Sequence, residues 1–117
     1  MKILKEKKTY EEFFTEEGGV SFHVFPLPSS HAKGSLGLEV NGEYAFLGDG
    51  IYAASKTGKY VLNAQLLFEQ IRTLKKLEAK YFILSHRKNV VEEREVVLRL
   101  LSEQYAMRTP DSPYIFL

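Results

Sequence analysis

Residues 35–47 read SLGLEVNGEYAFL, and this stretch decides the fold. Ser35 to Val40 and Glu43 to Leu47 are extended runs on either side of Asn41-Gly42. An Asn-Gly pair between two such runs predicts a β-hairpin, because a type I′ turn needs positive φ at both central residues. The second arm sets Tyr44 and Phe46 against Ala45 and Leu47, all apolar. A strand that is apolar on both faces is expected inside a sheet, covered on each side.

Working outward, Val20 to Phe25 reads VSFHVF, a β-branched and aromatic run that predicts a buried strand. Pro26 and Pro28 end it, since neither can donate to a sheet ladder. Upstream, Thr9 to Glu16 mixes charges with Phe13 and Phe14 and is expected as a short docked helix, broken at Gly18-Gly19. Downstream, Val61, Ala64, Leu67, Phe68, Ile71, Leu74 and Leu77 recur at spacings of three and four. They predict an amphipathic helix over 57–78. Tyr81 to Leu84 is a short apolar run and predicts a strand, followed by a polar loop over 85–89. Val90 to Gln104 reads as a second helix, and Tyr114 to Leu117 as a last edge strand. The order strand, hairpin, helix, strand, helix implies an α/β domain spanning 1–117. Its single mixed or mainly antiparallel sheet has its two main helices on one face.

Composition limits the function classes. The 117 residues are 44% hydrophobic and 26% charged, which fits one folded domain and not a disordered chain. Sixteen basic residues against fifteen acidic ones leave a net charge of +1. No basic patch is therefore expected for nucleic acid or an anionic membrane. With no Cys there is no disulfide scaffold, thiolate zinc site or Cys nucleophile, and a cytoplasmic setting is expected. No apolar run reaches the ~18–20 residues of a membrane span, and the first residues do not read as a secretory signal.

Three residues stand where a strand gives way to a loop: His31 after 20–25, Asp49 after 43–47 and His86 after 81–84. Loops at strand ends converge while the strands hold them rigidly. Two imidazoles and a carboxylate suit zinc, iron or manganese. The ordinary readings are a turn-satisfying His31, an Asp49 that closes its own turn between glycines, and a solvated His86 beside Arg87 and Lys88. His23, inside a strand, reads as structural. Ser29, Ser30 and Ser35 lack a G-x-S-x-G elbow, so a serine nucleophile is not expected.

The neighbourhoods go further. Residues 26–38 read PLPSSHAKGSLGL, 44–50 read YAFLGDG and 82–86 read FILSH. Together they resemble the C-terminal half of a metallo-β-lactamase-fold hydrolase, over about residues 20–105. The family's H-x-H-x-D-H signature, which lies in its N-terminal half, is absent from this chain. The resemblance implies half of an αββα sandwich. It implies that His31 binds one metal, His86 a second, and that Asp49 bridges them, with Gly34, Ser35 and Gly48 shaping the loops. It also implies zinc, or iron or manganese, and a metal-activated hydroxide attacking an ester, thioester, amide or phosphoester. With half the ligands missing, this chain alone is expected to bind metal weakly and to be inactive. The alternative is a non-catalytic half-fold that serves dimerisation or protein interaction. Apolar side chains on both sheet faces lead to an expected homodimer through the face that the helices leave bare.

Overall fold

The computed structural model describes residues 12–31, 34–56, 59–85 and 89–117. It is an α/β fold built on a six-stranded mixed sheet. In chain order the elements begin with β1 (Phe13–Glu17), β2 (Val20–Pro26), β3 (Leu36–Val40) and β4 (Tyr44–Gly48). Next come β5 (Ala54–Lys56), β6 (Lys59–Asn63) and α1 (Ala64–Lys75), then β7 (Tyr81–Ser85), β8 (Asn89–Glu93), α2 (Arg94–Tyr105) and β9 (Tyr114–Phe116). The large sheet runs β1-β2-β3-β4-β7-β8, antiparallel throughout except where β4 meets β7. Strands β5, β6 and β9 form a separate three-stranded sheet.

The central hairpin forms as its turn residues dictate. Asn41 and Gly42 both hold positive φ, 53° and 62°, and the Glu43 N–H closes the turn on the Val40 carbonyl at 3.0 Å. The Asn41 side-chain oxygen also accepts from the Ser21 N–H at 2.9 Å, tying the turn to the start of β2. The strand expected at 20–25 is β2, and the run at 81–84 is β7.

Three expectations fail locally. The segment before Gly18-Gly19 is strand β1, not a helix. Gly18 (φ 56°) and Gly19 (φ 83°) make the two-residue turn of a hairpin that pairs Phe13–Glu17 with β2. Adjacent phenylalanines followed by Thr favour a pleated surface, and a Gly-Gly turn matches strand twist. The helix expected over 57–78 starts only at Ala64. Tyr60-Val61-Leu62 belongs to β6, between β5 and β9, and Val61 fell on the helical period by coincidence. Likewise Val90 and Val91 lie in β8, hydrogen-bonded to β7, and α2 begins at Arg94. The C-terminal strand β9 is present but pairs with β6 in the small sheet.

One face of the large sheet meets the helices. Phe25, Ala45, Leu47, Phe82 and Leu84 are buried there with Leu67, Ile71 and Leu74 of α1 and Val97, Leu98 and Leu101 of α2. The alternate residues of the same strands, Tyr44, Phe46 and Tyr81 among them, are exposed. Strand β4 is thus apolar on both faces but covered on one only, because the described residues provide one layer of helices.

Candidate functional site

Strands β2, β4 and β7, which precede the candidate residues, all end at the same edge of the large sheet. β4 and β7 run parallel, with Gly48 opposite Leu84, so the chain enters Asp49 beside the end of β7. The register of β4 on β7 slips between Phe46 and Gly48. Such an irregularity bends a strand and re-aims the residues beyond it. Gly48 then takes φ 59°, a conformation that favours glycine, and turns the chain into Asp49-Gly50. β2 ends at Pro26, paired with Leu36 at the start of β3, which brings the loop carrying His31 to this same edge. Gly34 turns with φ 72°, and the Ser35 carbonyl accepts from the Leu27 N–H at 2.9 Å.

These loops bring His31 and Asp49 together. His31 Nε2 lies 3.0 Å from Asp49 Oδ2, with both side chains partly exposed. The other ring nitrogen, Nδ1, lies 3.3 Å from the Ala53 carbonyl, which can only accept. Nδ1 thus faces an acceptor, and Nε2 is the atom presented to Asp49. Two ligands of one tetrahedral ion, each about 2.0–2.1 Å from it, stand roughly 3.3 Å apart. The observed pair is close to that separation while also making a direct contact. In metal sites a His commonly donates its second N–H to a backbone carbonyl, and the Ala53 carbonyl stands within reach of His31 Nδ1. His86 lies outside the described residues, as does Lys33; Ser85, which precedes His86, ends β7 at this edge. Among the described residues no three His, Cys, Asp or Glu side chains form a group suited to a metal ion.

The support beneath the pair is a buried polar network that the motifs alone did not reveal. Gln70, 3% exposed, projects from α1 and donates through Nε2 to the Pro28 and Gly50 carbonyls, both at 2.8 Å. Ser29 Oγ donates to the same Gly50 carbonyl at 2.6 Å and accepts from the His31 N–H at 3.1 Å. Ser29 thus shapes the His31 loop. Ser30 Oγ accepts from the Asn63 N–H at 2.9 Å, joining this loop to the start of α1. Gly50 is needed for closeness: a Cβ there would meet Leu27 Cδ2 at 2.7 Å and the Leu47 carbonyl at 3.1 Å. One sequence signal for Gln70 existed. It interrupts the apolar stripe of Leu67, Ile71 and Leu74, and a polar residue on a buried stripe must find partners.

His23 belongs to a different network, on the helix side of the sheet. Its Nδ1 faces Glu39 Oε1 at 2.9 Å and its Nε2 faces Glu12 Oε2 at 2.7 Å. Phe14 stacks on the ring with centroids 4.1 Å apart. Glu39, 5% exposed near the end of β3, also accepts through Oε2 from the Glu78 and Ala79 N–H groups at 2.8 and 2.7 Å. His23 is therefore a structural residue, and Glu39 clamps the α1–β7 connection to the sheet. Comparison with family profiles, curated proteins and solved structures finds no match for this chain.

Proposed function

We propose that this chain is the C-terminal part of a metal-dependent hydrolase of the metallo-β-lactamase type, inactive by itself. The observation that carries this reading is the His31–Asp49 pair: two loops from different strands converge at 3.0 Å, on a buried network that fixes both loops to α1. An imidazole and a carboxylate fit zinc, iron or manganese, and the backbone contact of Nδ1 leaves Nε2 as the ligating atom. His31 and Asp49 would hold the metal, joined by His86 in the sequence pattern. A bound metal supplies a water of lowered pKa as nucleophile for an ester, thioester, amide or phosphoester. The chain's own contribution is to hold two ligands rigidly at one sheet edge. Two ligands fall short of the three or four that retain zinc tightly. A cytoplasmic setting is part of the same proposal, supported by the absence of Cys. No helix among the described residues is long and apolar enough to cross a membrane.

The test has two arms. Dialysed chain is expected to retain well under one zinc per molecule, with residual uptake lost in His31→Ala. Co-expression with a segment supplying H-x-H-x-D-H is expected to restore a retained metal and hydrolysis, both lost in Asp49→Asn. No metal uptake by the combined chains would overturn the reading. Turnover by the isolated chain would overturn its inactivity. The second reading, a non-catalytic half-fold for protein interaction, is favoured by the bare apolar face of the large sheet.

A further inference from the structure

We propose that two copies of this chain pack against each other through the face of the large sheet that the helices leave uncovered. This inference does not rest on the metal reading. The face is defined by register. Phe22 pairs with Val40, Val40 with Tyr44, and Tyr44 with Tyr81, so alternate residues of β2, β3, β4 and β7 point the same way. Leu36 is 52% exposed on this face, Phe46 44%, and Val91 of β8 56%. A shallow groove of about 570 Å³ runs over Phe22, Val24, Leu36, Leu38 and Phe46, with Glu17 of β1 at its side.

Neither end of the described chain covers this face. Residues 13–17 extend the sheet as β1, and the C-terminal segment pairs with β6 in the other sheet. Six strands about 4.8 Å apart, each about five residues of ~3.3 Å, give a footprint on the order of 500 Å² per copy. Two copies together reach the ~1,000 Å² that a specific interface needs, and side-chain relief adds to the flat figure. The uncharged part of each footprint, on the four central strands, is on the order of 300 Å², the size at which an apolar patch on a monomer is often functional.

Charge favours a second copy. The four central strands bring no charged side chain to the face. Glu17, which borders the groove, and Glu93 stand on the outer strands β1 and β8, so a copy laid over β3, β4 and β7 meets no like charge there. Two twisted sheets stack at about 10 Å with side chains interleaved, and an isologous two-fold pairing closes without leaving the same face open. The result is a helix–sheet–sheet–helix sandwich made from one sequence, with a candidate site on each copy.

Sedimentation equilibrium on the full chain between about 5 and 200 μM is the experiment. The expected mass is twice 13.4 kDa, falling toward 13.4 kDa on dilution. Phe46→Lys and Leu38→Lys replace side chains on the bare face, so each is expected to keep the circular dichroism spectrum and to lose the dimer, with at least a tenfold weaker association. Should one variant fold poorly, the other still reads the interface. A 13.4 kDa particle at 200 μM overturns the proposal, whether or not it binds a hydrophobic dye. So does an open series of larger assemblies, or a dimer unchanged in both variants.

Discussion

Glu39 carries more of this structure than its place in a strand suggests. One carboxylate accepts from two backbone N–H groups and faces an imidazole, all at 2.9 Å or less. Hydrogen bonds to a buried charge are the strong kind, and a buried donor left without its acceptor costs its full desolvation. Glu39→Leu is expected to lower the unfolding free energy by about 3–5 kcal/mol in urea titrations. It should also loosen amide protection at Glu78 and Ala79. Gln70→Leu tests the other network: two buried carbonyls lose a donor, for an expected loss of about 1–3 kcal/mol. The same change should widen the His31–Asp49 spacing, read as altered His31 ring chemical shifts. Gly37→Ala drives a Cβ into the Phe25 ring and is expected to cost about 1–3 kcal/mol by overpacking. Of these residues the sequence singled out His31 and Asp49, which follow strands. Gln70 showed only as a polar break in the apolar stripe of α1, and the groups that Glu39 satisfies come near it only in the fold.

Among the elements, the Asn41-Gly42 hairpin was the most readable and helix starts the least. Asn41-Gly42 specifies its own turn through backbone conformation, so two strands follow from two residues. α1 shows why periodicity failed upstream of it. Asn63 ends β6 and caps the helix, its side-chain oxygen accepting from the Leu66 N–H at 2.9 Å. Residues 59–63 pair instead with β9, some fifty positions away, through Val61–Phe116 and Leu62–Ile115. A pattern read in one window cannot include a partner that distant. Asn63→Ala is expected to destabilise by about 1 kcal/mol, with Asn63→Asp nearly neutral, as a thermal melt would show. The same logic explains β8: two valines beside β7 gain a hydrogen-bonded neighbour that a helix would not give them.

At the scale of the whole molecule, the asymmetry of the large sheet is the main fact. Its two faces are similarly apolar in composition and opposite in environment. Phe82 and Phe46 show this on neighbouring strands: Phe82 is fully buried beneath the helices, and Phe46 is 44% exposed. Phe82→Ala is expected to cost about 3–5 kcal/mol, a large part of the stability of so small a domain. Phe46→Ala, measured at concentrations where the chain is monomeric, is expected to change the unfolding midpoint little. Comparable losses for the two would mean that the face bearing Phe46 is already covered within one copy.

By itself the sequence determined the α/β class, the Asn41-Gly42 hairpin, strands β2 and β7, and the places of His31 and Asp49 beyond the ends of strands. Each of these comes from local rules: turn conformation, proline's missing donor, and alternation along a few residues. The tertiary structure alone decided where the helices begin, that 54–63 and 114–116 build a second sheet, and that Gln70 and Glu39 are held in buried networks. It also decided which of two apolar faces the helices cover. Those outcomes depend on contacts between residues far apart in the chain, and a side chain's local sequence does not say what will pack against it.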